Sequence, residues 1–335
     1  MHHKSKQFTI IIPGLRKSGG NDFVFKMQHD LNANVVSFFA LENDYPAEEV
    51  SVIMNKKFTK VNYILYSPII LLFLLTRVKT EKIILTHILT WPLCFFKDVR
   101  KTFYFIQGQE WLFFGLISQL IFKSVKRRIK NSHVITTNKL LGKALENQGI
   151  EKYSIFLPIT ILKQHSVEKV FDYVIVRRSG AVKNALLVDG LIEKMPAHLK
   201  GIIINLGSEN LSINHNQCII NGPVPHKNMI EYISQSKVIF LLSKSEGLSL
   251  PVIEAIQNFT VPIVLKNGIS EELTDQTILP ALDPDTPLSK IIERAIVVLS
   301  DQNLRQQVVK KNLIMNNRFL DEHRVLTQQF LTNFS

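Results

Sequence analysis

The chain has 335 residues, of which 46% are hydrophobic, and a formal net charge of +12; that is enough for two ordinary domains with their own cores, and it excludes a disordered or fibrous chain. Cys94 and Cys218 are the only cysteines; they lie far apart and lack ligand-like spacing to histidine, so neither a disulfide framework nor a zinc site is indicated and the cytosol fits best. Residues 1–160 carry 22 Lys and Arg against 11 Asp and Glu, and the rest 18 against 17, so the first half calls for an anionic partner: a phospholipid surface, a phosphate-bearing acceptor or nucleic acid.

Short apolar, β-branched runs at 8–12, 35–39, 82–85, 102–106, 133–136 and 154–157 alternate with helical patterns, the rhythm of a parallel sheet. The rhythm restarts after residue 160 with runs at 171–176, 201–206, 217–220, 238–242 and 261–265. The N-terminus leads straight into a run too short for a secretory core region. The run at 63–75 contains Pro68 and falls short of the ~20 residues that span a bilayer, which favours a buried helix. The last segment, 304–334, is helical in pattern. The expected domains are therefore 1–160 and 161–315, with a helix at 316–335 packing back on the first. Two such units facing one another create a ligand cleft at the carboxyl ends of their strands.

The segment from Ser245 to Ala255 places Glu246 and Glu254 eight residues apart across a glycine turn and a helix start, with Pro251 suited to the first helical position. Backbone donors of Gly247, Leu248 and Ser249 could then meet anionic or hydroxyl-rich atoms, one acid facing a sugar and the other a ribose. A surface turn with two solvated acids is the competing reading.

Upstream, Arg178 precedes Lys183 by five residues at a strand end, with Arg177 as the rival guanidinium; a fork and a point charge there would neutralise a diphosphate. Gly19 and Gly20 follow Arg16, Lys17 and Ser18 after the first strand, His87 follows the strand at 82–85, and Gly207 and Val224 follow the next strands of the second half.

Together these motifs resemble the family-four glycosyltransferases of the GT-B fold, an α/β architecture of two Rossmann-like, doubly wound parallel-sheet domains facing across a cleft. The family's second turn glycine is Ser249 here, its glycine after the lysine is Asn184, and its glycine before the following strand is replaced by Phe259 in a helix end one residue longer. The resemblance implies sugar transfer from a nucleotide-diphosphate donor to a glycan or lipid-linked glycan with retained configuration, in bacterial capsule, O-antigen or lipopolysaccharide synthesis. No metal and no cofactor beyond the donor is implied; Asp283-Pro284-Asp285 reads as a loop. His87, Glu246, Arg178 and Lys183 carry over as catalytic residues. Gly19, Gly20, Gly207, Val224, Gly247, Leu248, Ser249 and Glu254 carry over as donor-binding residues. Gln107, Glu110 and the aromatic residues 111–114 are similar to a subset of bacterial polysaccharide rhamnosyltransferases, and the aromatics fit a core equally well.

The segment 116–130 mixes apolar positions with Lys123, Lys126, Arg127, Arg128 and Lys130, a pattern for docking on an anionic membrane. It suits a cytoplasmic enzyme peripheral on the inner face of the cytoplasmic membrane. A catalytically inactive relative serving as an assembly subunit would share the fold. A nucleic-acid binder would explain the basic half, but no such motif accompanies the charge.

Overall fold

The computed structural model describes residues 8–15, 19–39, 50–54, 62, 66, 68–70, 72, 82–96, 98–112, 116–157, 167–207, 211, 213–222 and 224–334. Arg16, Lys17 and Ser18, most of the run at 63–75, and Phe113 and Phe114 lie outside the described residues. The chain divides into two compact units, residues 1–159 with 323–335, and residues 160–322.

The first unit holds β1 (Phe8–Gly14), α1 (Gly19–Leu31), β2 (Asn34–Phe39), β3 (Val50–Met54), β4 (Lys82–Leu85), β5 (Thr102–Ile106), α2 (Leu116–Lys130), β6 (His133–Thr136), α3 (Lys139–Glu146) and β7 (Ser154–Ile155). All strands pair in parallel, in the order β3-β2-β1-β4-β5-β6-β7. The central strands are covered on both faces, so they read as continuous apolar runs. On one face Ile83, Leu85, Tyr104, Ile106 and Val134 pack against Phe122, Val125 and Ile129 of α2 and Leu141 and Leu145 of α3. Trp111 stacks on Phe122 with centroids 5.1 Å apart, and it is buried, so this part of the aromatic cluster is core.

The second unit holds β8 (Phe171–Arg177), α4 (Ala185–Lys194), β9 (Gly201–Asn205), β10 (Gln217–Asn221), α5 (His226–Ser234), β11 (Ser236–Leu241), α6 (Leu250–Gln257), β12 (Val261–Val264), α7 (Ile269–Leu273), α8 (Leu288–Ser300) and α9 (Gln302–Phe334) up to Glu322. Its parallel sheet runs β10-β9-β8-β11-β12. Side chains alternate along β8: Tyr173 and Ile175 face the core of α4 and α8, while Val174 faces Ile230 and Ile233 of α5 and Ala255 of α6. Both units are therefore doubly wound.

The end of α9 belongs to the first unit. Phe330 meets Phe156 at 5.4 Å, Phe334 meets Phe103 at 5.3 Å, and the Thr327 hydroxyl accepts from the Leu157 N–H at 2.8 Å. No described helix is long and apolar enough to cross a membrane.

Candidate functional site

In a doubly wound sheet the connections leave opposite faces at the point where strand order reverses, which opens a crevice at the carboxyl ends of the two strands there. In the second unit that point lies between β8 and β11, which pair directly. The segment after β8 carries Arg178 and Lys183, and the segment after β11 carries Glu246 to Ser249. The two segments are joined: the Lys244 N–H donates to the Val182 carbonyl at 2.9 Å, and the Lys183 ammonium meets the Glu246 carboxylate at 2.7 Å. Both side chains of that pair are about a quarter exposed, so a ligand can reach them.

The alternation along β8 separates the two arginines. Arg177 lies on the α4 side and is 2% exposed; its Nε and terminal nitrogen donate to the two oxygens of Asp189 at 2.9 and 3.0 Å. This bidentate pair fixes α4 to the sheet. Arg178, one residue on, is exposed, so its guanidinium is open to solvent.

Glu254 sits in α6 and is nearly buried, with its carboxylate 2.6 Å from Nε2 of His226 at the start of α5. Sequence reasoning missed His226, because a histidine at the first residue of a helix carries no spacing signal; only the folded contact with Glu254 marks it. Ser249 is the N-cap of α6, buried, with φ −81° and ψ 74°. Pro251 follows in the first turn, where its missing N–H leaves no bond unmade. Gly207 donates its N–H to the Asn205 side chain at 3.1 Å, and Asn205 in turn donates to Asn221 at 3.1 Å, tying together the turns after β9 and β10. Val224 is half-buried just before α5; Pro223 lies outside the described residues.

The three departures from the glycine pattern have separate explanations. Asn184 has φ 57° and Phe259 has φ 58°, so both occupy the left-handed region that glycine favours. Asparagine tolerates it well, and a bulky residue does so at a cost of about 1–2 kcal/mol. The end of α6 is held by the Asn258 side chain on the Glu254 carbonyl at 2.8 Å and by the Thr260 N–H on the Ala255 carbonyl at 2.9 Å. Ser249 has negative φ, so no glycine is required there.

In the first unit the reversal lies between β1 and β4. Gly19 and Gly20 open α1 after β1, and His87 follows β4. The Thr86 hydroxyl donates to the Ile11 carbonyl at 2.9 Å, fixing the end of β4 to β1. His87 Nδ1 accepts the Leu89 N–H at 3.1 Å, and burial lowers its pKa to about 4, so the ring is neutral at pH 7 with its proton on Nε2. The structure thus brings Lys183 to Glu246 and Glu254 to His226 in one unit, and His87 beside the Gly19–Gly20 end of the sheet in the other.

Among the described residues no group of three or more His, Cys, Asp or Glu is placed to hold a metal. Asp283 pairs with Lys266 at 2.7 Å in the turn before α8.

Residues 205–313 match the family described as Glycosyl transferases group 1. No curated protein matches the chain in sequence. Among solved structures, HepE of Anabaena in complex with UDP and glucose superposes with a TM-score of 0.72 at 12% identity, covering 97% of this chain and 98% of that one. Sucrose-phosphate synthase from Thermosynechococcus elongatus gives 0.74 at 11% identity over 97% and 99%. WaaG, a glycosyltransferase involved in lipopolysaccharide biosynthesis, gives 0.69 at 10% identity over 98% and 99%. The chain has the GT-B fold, and the family match over 205–313 supports a glycosyltransferase that takes a nucleotide sugar.

Proposed function

We propose that the chain transfers a sugar from a nucleotide diphosphate to a hydroxyl of a glycan or lipid-linked glycan, with retention of configuration and without a required metal, in bacterial cell-surface polysaccharide synthesis. The observation that carries this reading is the Lys183–Glu246 pair at the β8–β11 reversal, with Glu254 at the adjoining helix. In this reading Lys183 and Arg178 neutralise the diphosphate as it departs, where charge grows in the transition state. The donor draws Lys183 from Glu246, and the freed carboxylate with the Gly247, Leu248 and Ser249 turn takes the sugar hydroxyls. Glu254, already held by His226, accepts the ribose hydroxyls, while Gly207 and Val224 line the base. His87, neutral and with a proton on Nε2, contacts the donor sugar, and Gly19 and Gly20 allow close backbone approach. The acceptor hydroxyl attacks on the leaving-group face, so no carboxylate is needed as a covalent nucleophile. Catalysis rests on positioning and electrostatics.

UDP is the first nucleotide to test, since HepE was solved with it. Calorimetry with UDP, GDP, dTDP and CMP should show selective micromolar binding of one diphosphate. Glu254→Ala and Lys183→Ala should each weaken it tenfold or more, consistent with about 1.5–3 kcal/mol for a hydrogen bond to a charged group. Wild-type affinity in both variants would overturn the assignment. An inactive assembly subunit of the same fold would release no diphosphate from a sugar nucleotide, and that measurement separates it from the enzyme.

The proposed finer localisation rests on α2. Leu116, Ile117 and Leu120 are exposed at its N-terminal half, and Lys123, Arg127 and Lys130 are exposed further along. Arg128 is partly spent on structure, donating to the Cys94 carbonyl at 2.8 Å and lying over the Phe95 ring. Apolar residues beside basic ones suit the boundary of an anionic bilayer, and this surface is the proposed attachment to the inner face of the cytoplasmic membrane.

A further inference from the structure

Glu110 is 2% exposed, and the role proposed above leaves it unused. It sits in a short 3₁₀ turn, Glu110–Leu112, between β5 and α2. Its two carboxyl oxygens reach two different loops: Oε2 accepts the Ile88 N–H at 2.9 Å, and Oε1 accepts the Gln107 N–H at 3.2 Å. Ile88 is the residue after His87, so one arm of the carboxyl grips the turn that carries the histidine. The other grips the end of β5, the neighbouring strand of the same sheet.

The turn at 87–90 is packed into the core through Ile88 and Leu89, and it is braced by polar bonds of its own. The Thr90 hydroxyl donates to the His87 carbonyl at 2.7 Å, and the Leu89 N–H donates to His87 Nδ1 at 3.1 Å; both bonds stay within the turn and orient the ring relative to its own backbone. The Glu110 bond ties that unit to another part of the fold. Glu110 is anchored in turn: the Ser118 hydroxyl of α2 donates to the Trp111 carbonyl at 2.7 Å, and the Trp111 ring stacks on Phe122 of the same helix. A connected path therefore runs from α2 through Trp111 and Glu110 to the His87 turn.

A buried acid is a costly way to hold two amides unless both bonds are needed. Burial pushes the Glu110 pKa up to about 8, opposed by the two N–H bonds. An aliphatic side chain would fill the same space and leave both N–H groups orphaned. Glutamine would offer one acceptor oxygen and set its NH₂ against the second N–H, whereas the carboxyl, even when protonated, turns its one O–H away and keeps an acceptor lone pair on each oxygen.

We propose that Glu110 is a positioning residue for the transfer reaction, fixing the His87 turn against the end of β5 so that the neutral imidazole is presented in one tautomer and one orientation. The proposal rests on the reading of His87 as a donor contact, and its test separates the two.

The full chain is compared with Glu110→Gln, Glu110→Asp, His87→Ala and the Glu110→Gln/His87→Ala double variant. Nitrogen-15 NMR of the imidazoles should show wild-type His87 neutral, protonated on Nε2, down to about pH 5. In Glu110→Gln its titration should move up toward the ordinary value of ~6.5. Glu110→Asp keeps the acid but is one methylene short; it should move the same way, and it carries the test if the glutamine variant does not fold. Release of nucleoside diphosphate from the sugar nucleotide should fall about tenfold or more in kcat for Glu110→Gln, with diphosphate affinity within about twofold of wild type. The double variant should be no slower than His87→Ala alone, since residues acting as a unit are non-additive. Unchanged His87 titration in both Glu110 variants, or a double variant slowed by the product of the two single effects, would overturn the proposal. If His87→Ala turned over donor like the wild type, the reading of His87 itself would fall, and the NMR comparison would still decide whether Glu110 holds the turn.

Discussion

Glu110 also leaves a mark on stability. Its carboxyl has an ordinary pKa near 4.5 and a folded value of about 8, so between those values the folded chain binds a proton that the unfolded chain has lost. Linkage then makes the contribution of this group full below about pH 4.5 and lost as pH rises through 8. The difference in unfolding free energy between wild type and Glu110→Gln, followed by urea denaturation, should fall from pH 5 to pH 8; a flat difference would contradict the assignment. Arg177 shows a second buried charge with a different partner. Removing its counter-ion in Asp189→Ala strands a guanidinium that is 2% exposed, and should cost about 2 kcal/mol or more, toward the range for broken buried pairs, reduced because Asp189 is a third exposed. Arg177→Met should cost less, because it removes the charge as well as the bond; the opposite order in denaturant midpoints would mean that the pair is net stabilising. The sequence named Arg178 with Arg177 as its rival, since both sit at the same strand end. The fold separates their surroundings, because Arg177 shares the α4 face with Tyr173 and Ile175.

Among the elements, the strands at Lys82–Leu85, Thr102–Ile106 and His133–Thr136 coincide with the runs read from sequence. They lie inside a parallel sheet, where covering on both faces leaves an uninterrupted apolar signature. β3 escaped because it is the edge strand: Val50 is buried but Ser51 and Val52 are exposed, so half of it has no reason to be apolar. The left-handed residues Asn184 and Phe259 were visible only as missing glycines; that the backbone keeps the glycine conformation without the glycine is a property of the fold. For α2 the pattern showed mixed charge and apolarity, and the structure sorts it: Phe122, Val125 and Ile129 face inward, while Leu120, Lys123 and Arg127 share the outer face. Co-sedimentation with vesicles containing anionic phospholipid should weaken roughly fivefold for each of Lys123→Gln and Arg127→Gln, at ~1 kcal/mol per basic residue near such a surface. Equal binding to neutral and anionic vesicles would remove the membrane assignment.

At the scale of the whole molecule, both candidate constellations lie at strand-order reversals, between β1 and β4 in one unit and between β8 and β11 in the other. Two βα domains were legible because each half repeats the strand–helix rhythm, the GT-B expectation came from the family resemblance of the motifs, and the Glu246–Glu254 spacing was legible because turn and helix start are contiguous in the chain. Glu254 with His226, and Glu110 with Ile88, are pairs between distant segments, and no local pattern announces them. The end of α9 makes a similar long-range claim on the first unit. A chain stopped after Glu322 would uncover Phe103 and Phe156, both nearly inaccessible in the fold. Such a truncation should lower the midpoint of thermal unfolding by several degrees or abolish soluble expression, and adding the peptide 323–335 in trans should recover part of the loss. Truncation without effect on either would show that the helix end is dispensable.

That arrangement inverts the usual order in which a chain becomes complete during synthesis. Domains made first are ordinarily free to finish first. Here the unit begun at β1 lacks the residues that close over Phe103 and Phe156 until 323–335 have emerged, after residues 160–322 are already made. Of the two units, the one begun earlier is completed later, and until then the aromatic surface that the end of α9 covers stays open.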